Sequence, residues 1–198
     1  MELLPIHSNA IKSIKSILLE YDFYLAGGTA VCYYLYHRNS EDLDFFTKLQ
    51  FNEDILQKRL EPFPISLKAE GTIYANIKNI KVSFFYYPYE LLYEINKMDT
   101  INMANLLDIL PMKINAVINR GSKKDFIDIY FIMKHLNLNG KDVLKICLNK
   151  FKNMNEMIFL KSLIFFEDAD IEIIPKMIKN VEWEDIKRFI KYEFISNY

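Results

Sequence analysis

Two short motifs hold the residues best suited to chemistry: Gly27-Gly28-Thr29 and, thirteen residues past that threonine, Asp42-Leu43-Asp44. Strand side chains repeat their direction every second residue, so a strand over 42–46 turns Asp42 and Asp44 to one face, about 7 Å apart at their α-carbons, with Leu43 turned away. Two carboxylates at that spacing can share a divalent ion, Mg²⁺ or Mn²⁺, with the oxygens of a nucleoside triphosphate. The alternative is a solvated strand edge, where two like charges repel with no cation to compensate them. The glycine pair lets the backbone turn tightly and present amide N–H groups to an anion before a helix opens at Thr29. An ordinary strand-to-helix turn would use the same residues. Taken together, the two motifs point to nucleotide handling.

These residues need a scaffold of strand, turn, helix and strand. Phe23-Tyr24-Leu25-Ala26 reads as a short buried strand, Thr29 to His37 as a helix, and Asp42 to Phe46 as the acidic strand. Upstream, Ser8 is a candidate N-cap for a helix with Ile11, Ile14, Leu18 and Tyr21 on one stripe. Downstream, Asn52 can cap a helix through Leu60, and residues 65–67 look extended. Thr72 to Lys78 and Ile80 to Tyr87 form a hairpin about Asn79. The run Phe84-Phe85-Tyr86-Tyr87 fits a two-sided sheet strand better than a base-stacking platform. Beyond Glu90 the pattern turns helical, with a soft boundary near 95–100. Asp108 is expected to cap a helix to Arg120 with Pro111 in its first turn, and Lys123 to Leu136 forms the next. Further helices are expected near 141–153, 155–166 and 183–195. The fold class is α+β: a mixed sheet flanked by helices over residues 1–98, followed by a helical half over 99–198.

The 198 residues carry a net charge of −1, so there is no global basic field to attract nucleic acid. Any such contact needs a local patch. The candidates are Arg120, Lys123 and Lys124, or Lys176, Lys179, Lys187, Arg188 and Lys191, for which solvated helix faces are the plainer reading. Cys32 and Cys147 are too few and too far apart for a disulfide framework or a thiolate metal site, and three histidines without ligand spacing speak against zinc. With no signal-like N-terminus and no apolar run long enough to span a bilayer, a cytoplasmic location without membrane association is expected.

The stretch Leu25-Ala26-Gly27-Gly28-Thr29-Ala30, followed by His37-Arg38-Asn39-Ser40-Glu41-Asp42-Leu43-Asp44-Phe45-Phe46, resembles the AbiEii/AbiGii toxin-like nucleotidyltransferases, relatives of DNA polymerase β-type enzymes. A second block, Met112-Lys113-Ile114-Asn115-Ala116 through Arg120-Gly121-Ser122-Lys123-Lys124-Asp125-Phe126-Ile127-Asp128-Ile129-Tyr130, resembles the same family. Two motifs in this order about seventy residues apart are far more specific than either alone. The resemblance implies a nucleotidyltransferase-type sheet and an Mg²⁺-dependent transfer of a nucleotide from a triphosphate. The implied acceptor is an RNA, such as a tRNA 3′ end, and the implied setting a toxin-antitoxin or phage-defence module with a cognate antitoxin. It also implies that Gly28 and Thr29 grip the triphosphate, that Asp42 and Asp44 bind metal, that Lys113 neutralises triphosphate charge, and that Asp125 or Asp128 fills an acidic position.

Each of these residues has a plainer role. Arg38 could meet phosphate or form a structural salt bridge. His37 ends a helix, where it can stabilise the terminal carbonyls instead of acting as a base. Lys113 lies among apolar helix neighbours and could snorkel to water, while Asp125 and Asp128 could be surface ion-pair partners. The strand Ile80 to Phe85 should carry the third carboxylate of a polymerase-like site, yet Ser83 stands at that place, and a hydroxyl is a poor base at neutral pH. Two rival readings follow: a transferase acting on a small molecule or a protein, and a non-catalytic module that binds a triphosphate or a partner.

Overall fold

Between residues 24 and 103, segments rich in β-branched and aromatic residues pair into one mixed sheet. In the computed structural model, which describes residues 3–196, its seven strands are β1 (Tyr24–Ala26), β2 (Leu43–Thr47), β3 (Ile65–Ala69), β4 (Thr72–Ile77), β5 (Ile80–Tyr86), β6 (Asn96–Met98) and β7 (Ile101–Met103), in the order β3-β4-β5-β2-β1-β7-β6. The acidic strand β2 is therefore central, antiparallel to β1 and parallel to β5. Helices α1 (Pro5–Glu20), α2 (Gly27–Leu35) and α3 (Glu53–Arg59) complete this part of the chain. The predicted mixed sheet followed by a helical half is the observed architecture.

Packing divides the chain into two units. One comprises Met1–Tyr33 and Ser40–Asn105, the other Tyr34–Asn39 and Leu106–Tyr198. In the first unit, Ile11, Ile14 and Leu18 of α1 are buried, as are Leu43 and Phe45 of β2 and Phe84 of β5. The rings of Phe23 and Phe84 lie 5.2 Å apart, and those of Phe45 and Phe84 lie 6.1 Å apart. Each such side chain stabilises the unit by about 1.5–3 kcal/mol, which fixes β2 from its buried face. Asn52 caps α3 as expected, its side chain accepting the Ile55 N–H.

Two expectations fail here. α1 starts at Pro5, not after Ser8: proline at the first helical turn has a suitable φ and no N–H to satisfy, so Ser8 falls inside the helix. The segment past Glu90 is not helical but ends in the β6–β7 hairpin, with Asp99 at positive φ in the turn. Its hydrogen-bond partner is distant in sequence, since β7 runs parallel to β1 with Leu25 opposite Met103. Tertiary pairing overrides the local pattern.

The second unit holds α4 (Leu106–Arg120), α5 (Lys123–Leu136), α6 (Gly140–Lys150), α7 (Glu156–Ile164), α8 (Glu167–Asp170) and α9 (Trp183–Lys191), followed by a π-turn over Tyr192–Ser196. α5 has the predicted bounds, and α6 opens on a capping box between Asn139 and Asp142. Asp108 does not cap α4. It lies buried within the first turn, where Lys150 Nζ donates to it at 2.7 Å. The segment His37–Asn39 also belongs to this unit: the Asn39 N–H donates to the Lys176 carbonyl, and the Ile178 and Lys179 N–H groups donate to the His37 carbonyl.

Candidate active site

The antiparallel register of β1 and β2 places Ala26 opposite Asp44, so the next residue, Gly27, arrives beside the Asp44 side chain. Gly27 has a φ of +69°, and a Cβ there would lie 2.6 Å from Asp44 Oδ2. Only glycine meets both demands, the left-handed backbone and the close approach. Helix α2 opens at Gly27, two residues earlier than expected, and its first-turn amides have no acceptor within the helix. One carboxylate thus sits against the start of a helix whose amides attract anions.

Exposure alternates from Asp42 through Thr47. Asp42 is exposed and Asp44 half-buried, while Leu43, Phe45 and Thr47 are buried. Both carboxylates therefore belong to the more open face, although β2 itself begins only at Leu43. On the next strand, Ser83 is the register partner of Asp44 and is buried. The position expected to carry a third carboxylate thus lies directly beside Asp44, and a hydroxyl occupies it.

The loop before Asp42 is held by side chains that sequence reading assigned elsewhere or passed over. The Thr29 hydroxyl shares a 2.8 Å hydrogen bond with Ser40 Oγ and donates to the Asp42 carbonyl. At 2% exposure, its hydroxyl is engaged inside the protein, and the residue's remaining polar offering at the helix start is its amide. His7 Nε2 lies 2.9 Å from the Glu41 carbonyl, and His7 Nδ1 lies 2.6 Å from Tyr33 Oη. Burial lowers the His7 pKa, although the Glu41 carbonyl and the Glu41 and Asp42 charges pull it up. His7 was legible in one respect: it continues the buried stripe of Ile11, Ile14 and Leu18, and a buried ring nitrogen needs a partner.

Arg38, Lys113, Asp125 and Asp128 meet in the second unit. Arg38 grips Asp128 with two donors, Nε at 2.7 Å and a terminal nitrogen at 2.8 Å. Lys113 Nζ reaches Asp128 at 2.7 Å and Asp125 at 2.9 Å, and Arg120 completes the cluster on Asp125. His37 Nε2 donates to Asp128 at 2.8 Å, so this histidine, two residues past the end of α2, serves the cluster and not a helix terminus. Burial by itself would raise the Asp128 pKa, but the Lys113 and Arg38 charges and the His37 and Arg38 hydrogen bonds hold it far below the usual carboxylate range. Burial likewise opposes the Lys113 cation, and Asp128 and Asp125 outweigh it, raising the lysine's pKa. A carboxylate with such low proton affinity makes a poor base. The Arg38–Asp128 contact is a bidentate buried ion pair.

The sequence candidates therefore form two groups, Gly27, Gly28, Thr29, Asp42 and Asp44 in the first unit and Arg38, Lys113, Asp125 and Asp128 in the second. Among the described residues no group of three or more His, Cys, Asp or Glu side chains is placed to hold a metal ion. Two carboxylates still suit Mg²⁺ or Mn²⁺, hard cations that take one or two protein carboxylates and complete their shell with water and substrate phosphate. The Gly27 cradle around Asp44 Oδ2 fits that donor set. Among the described residues no helix is long and apolar enough to cross a membrane.

A family model described as nucleotidyl transferase AbiEii toxin, type IV TA system, matches residues 14–98. The uncharacterized protein aq_aa25 of Aquifex aeolicus (strain VF5) is 34% identical over 95% of each chain. Among solved structures, an H. pylori protein provisionally assigned as a nucleotidyltransferase aligns with a TM-score of 0.54 and 19% identity over 95% of this chain and 91% of its own. The antibiotic-resistance factor ANT(2'')-Ia aligns with a TM-score of 0.51 and 10% identity, covering 72% of this chain and 90% of that one. At these identities the solved structures speak to the fold alone.

Proposed function

The chain belongs to the AbiEii nucleotidyltransferase family, and from that membership we propose that it transfers a nucleotide from a nucleoside triphosphate to an RNA 3′ end, with tRNA the first acceptor to test. The single observation that carries this reading is the Asp44 carboxylate lodged against the Cβ-less Gly27 at the start of α2. Acid and anion-binding amides converge there, as a triphosphate with a divalent counter-ion requires.

In this reading Asp42 and Asp44 hold Mg²⁺ or Mn²⁺. Bound there, the cation would neutralise triphosphate charge and make the acceptor hydroxyl more acidic. The first-turn amides at Gly27 and Gly28 receive phosphate oxygens, and the Thr29 hydroxyl keeps the Ser40–Asp42 loop in place. Ser83 can donate or accept a hydrogen bond beside Asp44 but keeps its own proton at neutral pH and cannot take up another as a general base. Asp128, buried and paired to His37, Arg38 and Lys113, is a poor proton acceptor as well. In this reading the acceptor oxygen attacks the α-phosphorus, pyrophosphate leaves, and the acceptor proton passes to a phosphate oxygen of the substrate. The role as a toxin of a defence module, with an antitoxin partner, rests on the family alone.

Incubation with α-labelled triphosphates, total tRNA and Mg²⁺ is expected to label RNA, and Asp44→Ala is expected to reduce labelling to background. Equal labelling by the variant would reject the assignment. Ser83 favours one second reading, a triphosphate-binding module without transferase activity. Calorimetric Mg²⁺-dependent binding of triphosphate with no labelled product of any size would support it.

A further inference from the structure

Asp42 stands one residue ahead of the β2 ladder, on an exposed stretch, so sheet pairing does not set its backbone. Side chains do so instead. The Glu41 carbonyl receives His7 Nε2 and the Asp42 carbonyl receives the Thr29 hydroxyl. These two carbonyls belong to the peptide planes on either side of the Asp42 α-carbon. Each plane is rigid, so anchoring both leaves the carboxylate only its own side-chain rotation.

The hydrogen-bond directions around His7 are fixed by chemistry. A carbonyl only accepts, so Nε2 carries the proton, and in the neutral ring Nδ1 is then an acceptor. The Tyr33 O–H must donate to Nδ1, and the Tyr33 oxygen in turn accepts the Leu4 N–H at 3.0 Å. A directed chain thus runs from the start of α1 through Tyr33 of α2 and His7 to the peptide that begins Asp42. His7 is fully buried, and both its ring nitrogens are engaged. Packing alone would be served as well by an apolar side chain, without the cost of burying two polar atoms.

We propose that His7 and Tyr33 are positioning residues that orient Asp42 for binding a divalent cation together with a triphosphate. The assignment rests on the cation-binding reading of Asp42 and Asp44 given above. Groups that hold a metal-binding side chain in place commonly contribute about 10- to 100-fold to metal affinity.

The test is Mn²⁺ binding, followed by electron paramagnetic resonance in the presence of a non-hydrolysable triphosphate. Tyr33→Phe keeps the ring and removes only the hydroxyl. It should weaken Mn²⁺ binding about 10-fold or more. His7→Leu, which removes the Glu41 contact as well, should cost more, whereas His7→Gln, which retains an N–H where Nε2 lies and loses only the link to Tyr33, should lose no more than Tyr33→Phe does. Wild-type affinity in Tyr33→Phe would overturn the proposal and leave the cation reading intact. Loss of affinity in His7→Gln equal to that in His7→Leu would assign His7 a purely architectural role and overturn the proposal as well. A parent protein that binds no Mn²⁺ with triphosphate would remove the cation reading and this proposal with it.

Discussion

At Gly27 a single hydrogen atom decides how closely Asp44 can approach the start of α2. Gly27→Ala would put a methyl group 2.6 Å from Asp44 Oδ2 at a φ of +69°. The backbone strain costs roughly 1–2 kcal/mol, read by urea unfolding. The nearest obstacle is the end of a side chain, so the carboxylate can swing aside, while the Asp44 Cβ at 3.1 Å must still give slightly. Triphosphate binding should therefore fall about 10-fold or more, out of proportion to the stability loss. In the second unit, Asp128→Asn removes the charge that Arg38, Lys113 and His37 all address. About 3–5 kcal/mol should be lost at pH 7, as is usual when one member of a buried ion pair is removed. A carboxyl whose folded pKa is depressed contributes in full above its unfolded pKa, about 4, and loses that contribution as pH falls through the folded value. The gap between parent and variant should accordingly narrow below about pH 4, and a gap constant down to pH 2 would remove Asp128 as its source. Lys113 works in the opposite sense. Its raised pKa keeps its contribution complete below about 10.5, and the contribution disappears only in stronger alkali. The sequence pointed to the residues Arg38, Lys113, Asp125 and Asp128, because their motif spacing is visible along the chain. It could not show that they satisfy one another, since Arg38 and Asp128 are 90 positions apart and meet only through tertiary packing.

Elements were most readable where a local signal had no competitor. Asn52 before α3 and the apolar period of α5 located those helices closely. The β6–β7 hairpin was missed because its stabilising partner, β1, lies about eighty residues upstream, and no property of residues 90–103 taken alone announces a parallel neighbour. Asp108 misled for a related reason. A first-turn acid fits a capping role, and only the later Lys150, at 2.7 Å, makes it a buried ion-pair member. α6 offers a test at this scale. Its first residue, Gly140, lies so close to the π-turn over Tyr192–Ser196 that a Cβ would come within 2.2 Å of the Glu193 carbonyl oxygen. That atom is backbone and cannot rotate away, so Gly140→Ala must displace the turn. An overpacking cost of about 1–3 kcal/mol is expected, with no change in triphosphate affinity. A thermal midpoint equal to that of the parent would show that the turn yields freely.

Across the whole molecule, charge limits how an RNA acceptor can be held. The net charge is −1, and several cations that could have formed a patch are already engaged. Arg120 pairs with Asp125, Lys187 with Asp170 and Glu184, and Arg188 with Asp185. Lys123 is buried and donates to the Glu172 carbonyl. Partners that already neutralise these groups reduce what they can offer to phosphates. An acceptor held by roughly three phosphate contacts would lose affinity with a salt exponent of about 2–3. Raising salt fourfold, from about 50 to about 200 mM, should then weaken tRNA binding roughly 16- to 64-fold, measured by filter binding at fixed Mg²⁺. A loss of several thousandfold would require about six or more phosphate contacts and would overturn the three-contact expectation. A loss of only two- or threefold would mean that the acceptor is not a polyanion, shifting the transferase reading toward a small hydroxylated compound. The salt exponent thus tests the acceptor class independently of whether any nucleotide is transferred.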